Sequence, residues 1–352
     1  MSNRHTLNLS TYQLINLSTY SFMKYFFSLV RWKNLIFVAI IQLLMTYCLI
    51  APTLAMYGMT MLTPWWITLL MVVATVCIAA GGYTINDYFD LKIDRINHPE
   101  RVIVGNIIEK PVVMRFYQVL TAVGVVAGLA VAIVLHSWTL GLAFVVVPGM
   151  LWFYSASYKR QFLVGNLIVA MSAALVPLLP VIAECGLLLD KYDELIRETP
   201  VVATLLGWGC GFALFAGLWT LTREIIKDME DEFGDREMEC RTLPIICGTR
   251  WSKVIVSLLI LLNNALLAYL LLTNTAAIPG NLSATLRYFL IGTTAPSLCL
   301  LVILWSKSCT ALHNASTLCK FIMIVGTLYC LVYNFLIAQA FHLALFGVFY
   351  VA

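Results

Sequence analysis

The sequence predicts an all-α, polytopic membrane protein, with nine transmembrane helices in two related halves around a central cavity. Three observations carry this. Of the 352 residues, 61% are hydrophobic and 11% charged, whereas a soluble domain carries about 25% charged residues. The apolar runs are about 20 residues long, which suits membrane helices and is about twice what a barrel strand needs. One acidic pattern also occurs twice, four runs apart.

Residues 1–30 read as a polar tail without the apolar core of a signal peptide. They contain "NLSTY" at 8–12 and again at 16–20. That is too short for a structural repeat and fits a local duplication, or read-through upstream of Met23. Asn8 and Asn16 match the glycosylation pattern but fall on the cytoplasmic side by the charge rule below. Residues 31–352 form one membrane domain. Its spans are expected at 34–57, 65–86, 111–135, 139–155, 163–187, 201–223, 251–273, 285–306 and 321–350. The last is long enough to tilt or to overrun the bilayer.

Lys and Arg in the loops set the orientation. All but Lys191, Arg197 and Arg287 of the 22 basic residues fall before the first span or in the even-numbered loops. The N-terminus and those loops are therefore expected in the cytoplasm, and the C-terminus outside. The ten cysteines form no CxxC pair and lie mostly inside apolar runs. They read as small buried hydrophobes rather than a zinc or disulfide framework.

The first acidic string, "NDYFDLKID", closes the second run. Asp87, Asp90 and Asp94 stand three and four residues apart, on one face of a helix. Three carboxylates so placed repel one another unless a cation sits among them. The loop after span six repeats the spacing with Asp228, Asp231 and Asp235. Both last aspartates are followed by arginine, Arg95 and Arg236. Two strings on the same side, at corresponding places, point to two parallel halves. Solvated loops obeying the charge rule would account for one string but not for both.

Facing carboxylate clusters suit a hard cation. Mg²⁺ takes oxygen ligands, keeps waters, and prefers a few carboxylates plus substrate phosphates to an all-protein cage. The strings are thus expected to hold Mg²⁺ around a diphosphate. Arg101, Lys159, Arg160, Arg223, Lys227 and Arg241 would complete the anion site. The adjoining bilayer would hold an apolar tail. Asn166, just past the basic loop, is a further candidate for the diphosphate.

These residues resemble the UbiA superfamily of intramembrane prenyltransferases. Its first motif, NDxxDxxxD, is matched by Asn86, Asp87, Asp90 and Asp94. The DxxxD of its second motif is matched by Asp231 and Asp235. Where quinone-type members carry an aspartate seven residues earlier, this chain has Glu224. "YSASYKR" (154–160), with Tyr154 and Lys159, resembles the element after the family's fourth helix. "RWKN" (31–34), ending at Asn34, resembles the start of its first. The likeness runs from about residue 30 over most of the chain. Within the superfamily, "KDMEDEFGD" followed by "RTLPI" most resembles the digeranylgeranylglyceryl phosphate synthase branch.

The resemblance implies Mg²⁺-dependent transfer of a prenyl group, geranylgeranyl in that branch, from its diphosphate to a lipid hydroxyl. The acceptor implied is geranylgeranylglyceryl phosphate, and the product an ether lipid. Asn86, Asp90, Asp231 and Asp235 would hold the metal, supported by Asp87, Asp94 and Asp228. Negative charge developing on the leaving diphosphate would be neutralised by metal and bases. An allylic cation needs a dry, aromatic-lined cavity, for which Tyr83, Tyr88, Phe89, Tyr154 and Tyr158 are placed in sequence. Each also fits an interfacial aromatic belt. Glu224 and Asp228 are candidates to take the acceptor's proton.

Other polar residues lie inside spans: Gln42, Glu184, Asn263 and Asn264. Glu184 is expected near an outer span end, and the asparagines to hydrogen-bond between helices. A cation-coupled transporter would want acids near mid-membrane, and here they cluster at one end. A scaffold would leave the repeated string unexplained. Within enzymes, prenylation of an aromatic quinone precursor is the alternative. Nothing in the chain calls for nucleic acid or an obligatory protein partner.

Overall fold

The fold is seen in a computed structural model that describes residues 23–97, 99–273, 282–306, 308, 310–345 and 349–350. Among the described residues, nine helices are long and apolar enough to cross a membrane. They are α1 (Trp32–Met56), α2 (Trp65–Asn97), α3 (Lys110–Val134), α4 (Trp138–Ala156), α5 (Val164–Asp193), α6 (Val201–Glu230), α7 (Thr249–Thr273), α8 (Leu282–Trp305) and α9 (Ala311–Phe341). The described strand structure is a two-residue antiparallel pairing, Ala344–Leu345 with Phe349–Tyr350. The protein is thus an all-α, multi-pass integral membrane protein.

Several ends differ from the expected spans, three of them for one reason. Hydropathy falls where a helix leaves the lipid, but the helix itself need not stop. α2 continues past residue 86 to Asn97, and α6 past 223 to Glu230. At 1.5 Å per residue the 33 residues of α2 span about 50 Å, against about 30 Å of hydrocarbon. The acidic strings therefore ride on helix ends that rise out of the bilayer. α9 likewise starts at Ala311, on polar turns free of Gly and Pro, and stops at His342, whose φ is 53°. The polar stretch assigned to the tail is helical over 23–29, and Leu29 is fully buried.

Two spans widen into π-turns, Met45–Ile50 in α1 and Leu290–Thr294 in α8. Each precedes a proline, Pro52 or Pro296. Proline lacks the N–H for the carbonyl four residues back and its ring clashes there. A wider turn relieves both.

α2 packs on α1, α3 and α4, while α6 packs on α5, α7 and α9, so the two string-bearing helices are the hubs. The α2–α3 approach is close: a Cβ at Gly124 would stand 2.9 Å from the Ala74 carbonyl oxygen. Ile67, Met71, Val131 and Phe144 fill one core, and Trp219, Ile226, Ile260 and Leu304 another. Leu29, Leu91, Val104 and Val113 form a small cluster beneath the first string and hold it in place.

The polar residues inside spans are accounted for. Gln42 Nε2 donates to Thr75 Oγ1 across α1 and α2 at 3.0 Å. Asn264 donates to Ser297 on α8 at 2.8 Å, the expected interhelical bond. Asn263 instead turns back to the Leu259 carbonyl of its own helix. Glu184 accepts hydrogen bonds from the loop between α1 and α2.

Candidate active site

α2 presents Asp87, Asp90 and Asp94 one turn apart. Arg31, just before α1, donates to Asp87 at 2.8 Å and lies 5.0 Å over the Tyr83 ring. Asn34 Nδ2 reaches the Tyr83 hydroxyl at 3.4 Å. Asp90 is buried. One of its oxygens accepts from Asn86 Nδ2 at 2.7 Å and is ion-paired with Lys159. Lys159 comes from the Tyr158–Arg160 turn between α4 and α5.

The second string is built differently. α6 carries Glu224, held by Arg223 at 2.7 Å, and Asp228, held by Asn166 of α5 at 2.7 Å. The helix then breaks at Asp231 and restarts as a short helix, Glu232–Glu237. The second string repeats the spacing of the first, but the continuous helical face that α2 gives the first is interrupted at Asp231. Asn97, the last residue of α2, crosses to this break. Its Nδ2 donates to the Asp231 carbonyl at 3.3 Å, and its Oδ1 accepts the Gly234 N–H at 3.0 Å.

Asn97 thus brings the two strings together, and their charges act on one another. Burial raises the Asp235 pKa; Lys159 lowers it, Asp231 and Asp90 raise it, and it is pushed up to about 6. Burial works against the Lys159 ammonium, but Asp90, Tyr154 and Asp94 together outweigh it, and the pKa rises well above that of an ordinary lysine. Lys159 is thus a fixed positive charge between the strings. On α6, Lys227 acts on Glu224 and Asp228, and Lys320 of α9 stands in the field of Arg223, Lys227 and Glu224.

The fold thus brings Asn34, Asn86, Asp87, Asp90, Asp94, Tyr154, Lys159, Asn166, Arg223, Glu224, Lys227, Asp228, Asp231 and Asp235 to one end of the bundle. Arg160 and Arg241 are exposed and meet through backbone, Arg241 N–H to the Arg160 carbonyl at 2.8 Å. They stand at the rim. The Arg101 side chain lies outside the described residues. Of the aromatics, Tyr83 and Tyr154 face the charged groups, whereas Phe89 packs edge-on to Trp152 and Tyr158 against Phe153. Sequence reasoning overlooked Arg31, Asn97 and Lys320 as site residues. Their signals were position in "RWKN", position just after the first acidic string, in "RINHPER" (95–101), and a lysine at the edge of an expected span.

The donor set fits Mg²⁺. It is all oxygen, and burial, with the Asp231 and Asp90 charges nearby, raises the Asp235 pKa. A cation shared by the strings would relieve that. Among the described residues, no three Asp, Glu, His or Cys side chains gather closely enough to hold a metal alone. An open set of this kind suits an ion that keeps waters and takes phosphate oxygens. Away from it, a cavity of about 490 Å³ lies among α6–α9, lined by Gly207, Trp208, Gly211, Phe215, Leu270 and Tyr329 among others.

Fold and site together define a polytopic membrane protein with facing acidic clusters and embedded bases at one end of its bundle. Residues 44–321 match the UbiA prenyltransferase family, and the chain belongs to that family. It is 34% identical over 189 residues to the digeranylgeranylglyceryl phosphate synthase of Methanosphaera stadtmanae, covering 53% of this chain and 60% of that protein. To the Sulfurisphaera tokodaii protein of that name it is 34% identical over 242 residues, covering 68% and 76%. The chain spans 51–64% of the length of three such curated relatives. A solved UbiA homologue from Archaeoglobus fulgidus, bound to GPP and Mg²⁺, shares the fold with a TM-score of 0.51 at 16% identity, over 86% of this chain and 98% of that one.

Proposed function

We propose that this protein transfers a prenyl group, geranylgeranyl, from its diphosphate to the free hydroxyl of geranylgeranylglyceryl phosphate, forming an ether lipid. One observation carries the reading: two acidic strings face each other across Lys159, in a chain similar to synthases of that name. The C1–oxygen bond to diphosphate breaks, and C1 bonds to the acceptor oxygen. Diphosphate and a proton leave.

Asn86, Asp90, Asp231 and Asp235 would hold Mg²⁺, with Asp87, Asp94 and Asp228 beside them. When bound, the metal supplies positive charge to the leaving diphosphate. Lys159 adds a fixed ammonium to the same site, and Arg31 holds Asp87 in place. Arg223, Lys227, Arg160, Arg241 and Arg101 bind the remaining phosphate charge. Tyr83 and Tyr154 give the site aromatic faces and help keep water from the reacting carbon. Glu224 and Asp228, each anchored through one oxygen, stand ready to take the acceptor proton. The strings open to the cytoplasm, with the N-terminus on that side and the C-terminus outside, because nearly all Lys and Arg lie there.

The test is an assay of purified protein with labelled geranylgeranyl diphosphate, offering glycerol-phosphate and aromatic acceptors side by side. Ether-lipid product is expected; prenylated aromatic product alone would overturn the acceptor assignment.

A further inference from the structure

We propose that Asn97 is a positioning residue that clasps the two acidic strings together, with Gly234 as its seat. The inference deepens the function proposed above and rests on it. Asn97 lies three residues beyond Asp94, on the last turn of α2. Its carboxamide spans the gap to the second string with both of its ends, donating to the Asp231 carbonyl and accepting from the Gly234 N–H.

The local chemistry explains why a side chain from another helix is needed. Breaking α6 at Asp231 leaves the first N–H groups of helix Glu232–Glu237 without partners within the helix. Such groups are normally met by the side chain at the cap position. Here Asp231 holds that position and makes no such bond. Asn97 acts as the cap instead, from 137 residues away in sequence.

Gly234 is buried, and a Cβ there would run into the Asn97 carboxamide. Glycine is therefore what lets the amide lie flat on the short helix. The clasp is one-sided. The residue three beyond Asp235 is Met238, and the residue before Asp94 is Ile93, so neither string offers the reciprocal pair. Asp231 and Asp235 flank the clasped turn. Its rotation would change their distance from Asp90, on which shared cation binding depends.

The test uses full-length protein in detergent, with Mn²⁺ as the probe, followed by electron paramagnetic resonance. Asn97→Ala is expected to weaken Mn²⁺ binding at least fivefold, to raise the Mg²⁺ concentration for half-maximal turnover by a similar factor, and to speed hydrogen exchange at amides 232–237. Excess Mg²⁺ should restore much of the turnover. Gly234→Ala, which displaces the amide without removing it, should shift the same three readouts the same way, and it serves if Asn97→Ala does not fold. A lower Tm with unchanged Mn²⁺ affinity in the folding variant would make Asn97 merely structural and overturn the proposal. Unchanged exchange at 232–237 would also overturn it. Should wild type bind Mn²⁺ but transfer no prenyl group, the enzyme reading fails while the Mn²⁺ and exchange results still decide the clasp.

Discussion

Lys159, on the turn after α4, is ion-paired with Asp90, midway along the acidic string of α2. The pair joins three elements that the sequence keeps far apart, because the same ammonium also acts on Asp235 beyond α6. A carboxylate buried as deeply as Asp90 needs a partner, and removing one side of such a pair leaves the other charge uncompensated. Lys159→Met should therefore lower kcat/KM for prenyl transfer by about 10²–10³, the usual effect of losing one preorganised donor at a developing anion. Lys159→Arg should retain more, since it keeps the charge. Turnover within a few-fold of wild type in Lys159→Met would remove Lys159 from the anion site.

The metal requirement follows from the all-oxygen donor set. Turnover should vanish in EDTA and return with added Mg²⁺. Asp90→Ala and Asp231→Ala should each reduce transfer to background while the protein stays folded in detergent, as judged by gel filtration and Tm. Full turnover in either variant would refute a site shared by both strings.

The helix count, the pairing of the strings and most of their bases were legible because each leaves a local mark: an apolar run, a fixed aspartate spacing, a charge at a loop edge. The break at Asp231 was not legible. Nothing in "KDMEDEFGDRE" forbids a continuous helix except one glycine, and the partner that stabilises the break is Asn97 on another span. The roles of Tyr88, Phe89 and Tyr158 were equally hidden. Sequence places them near the string, but only packing decides which ring turns inward, and Phe89 turns to Trp152.

A glycerol-phosphate acceptor brings a second phosphate, so bases beyond those serving the diphosphate must meet it. Candidates are Lys159, Arg160, Arg223, Lys227, Arg236 and Arg241. Arg236 is exposed and paired with Glu232 at 2.6 Å, and Arg223 is held by Glu224, which favours Lys227, Arg160 and Arg241. Neutralising the residue that holds the acceptor should raise the acceptor KM about tenfold or more, with less effect on donor KM, as a charge-assisted contact of about 1.5–3 kcal/mol requires. If no substitution moves acceptor KM and 4-hydroxybenzoate is prenylated faster, the quinone-precursor reading replaces this one.

Orientation is open to direct labelling. Single cysteines in a background lacking reactive thiols, at Glu237 beside the second string and at Tyr192 near the far end of α5, should react with an impermeant reagent from opposite sides. Glu237 should react from the cytoplasm and Tyr192 from outside. The reverse pattern would invert the whole arrangement.

Glu184 fixes the far end of the bundle. It lies about 27 Å along α5 from Asn166, at 1.5 Å per residue. Its carboxylate accepts from the Leu62 N–H at 2.6 Å, and from the Thr63 N–H and hydroxyl at 2.9 and 2.6 Å. Glu184 and Thr63 are buried and Leu62 is half-buried, so these donors have little water to turn to. In Glu184→Gln the carboxamide oxygen can serve the Thr63 pair, but its NH₂ then faces the Leu62 N–H. One orphaned buried donor costs about 1–3 kcal/mol. Thr63→Val removes one partner of the same oxygen, so the two changes share a network and should not add. A double-mutant cycle on thermal unfolding should show coupling of about 0.5 kcal/mol or more, while transfer per folded molecule stays near wild type because the acidic strings are at the other end. Additive effects, or a Glu184→Gln protein as stable as wild type, would show that the α1–α2 loop is held by something other than this carboxylate.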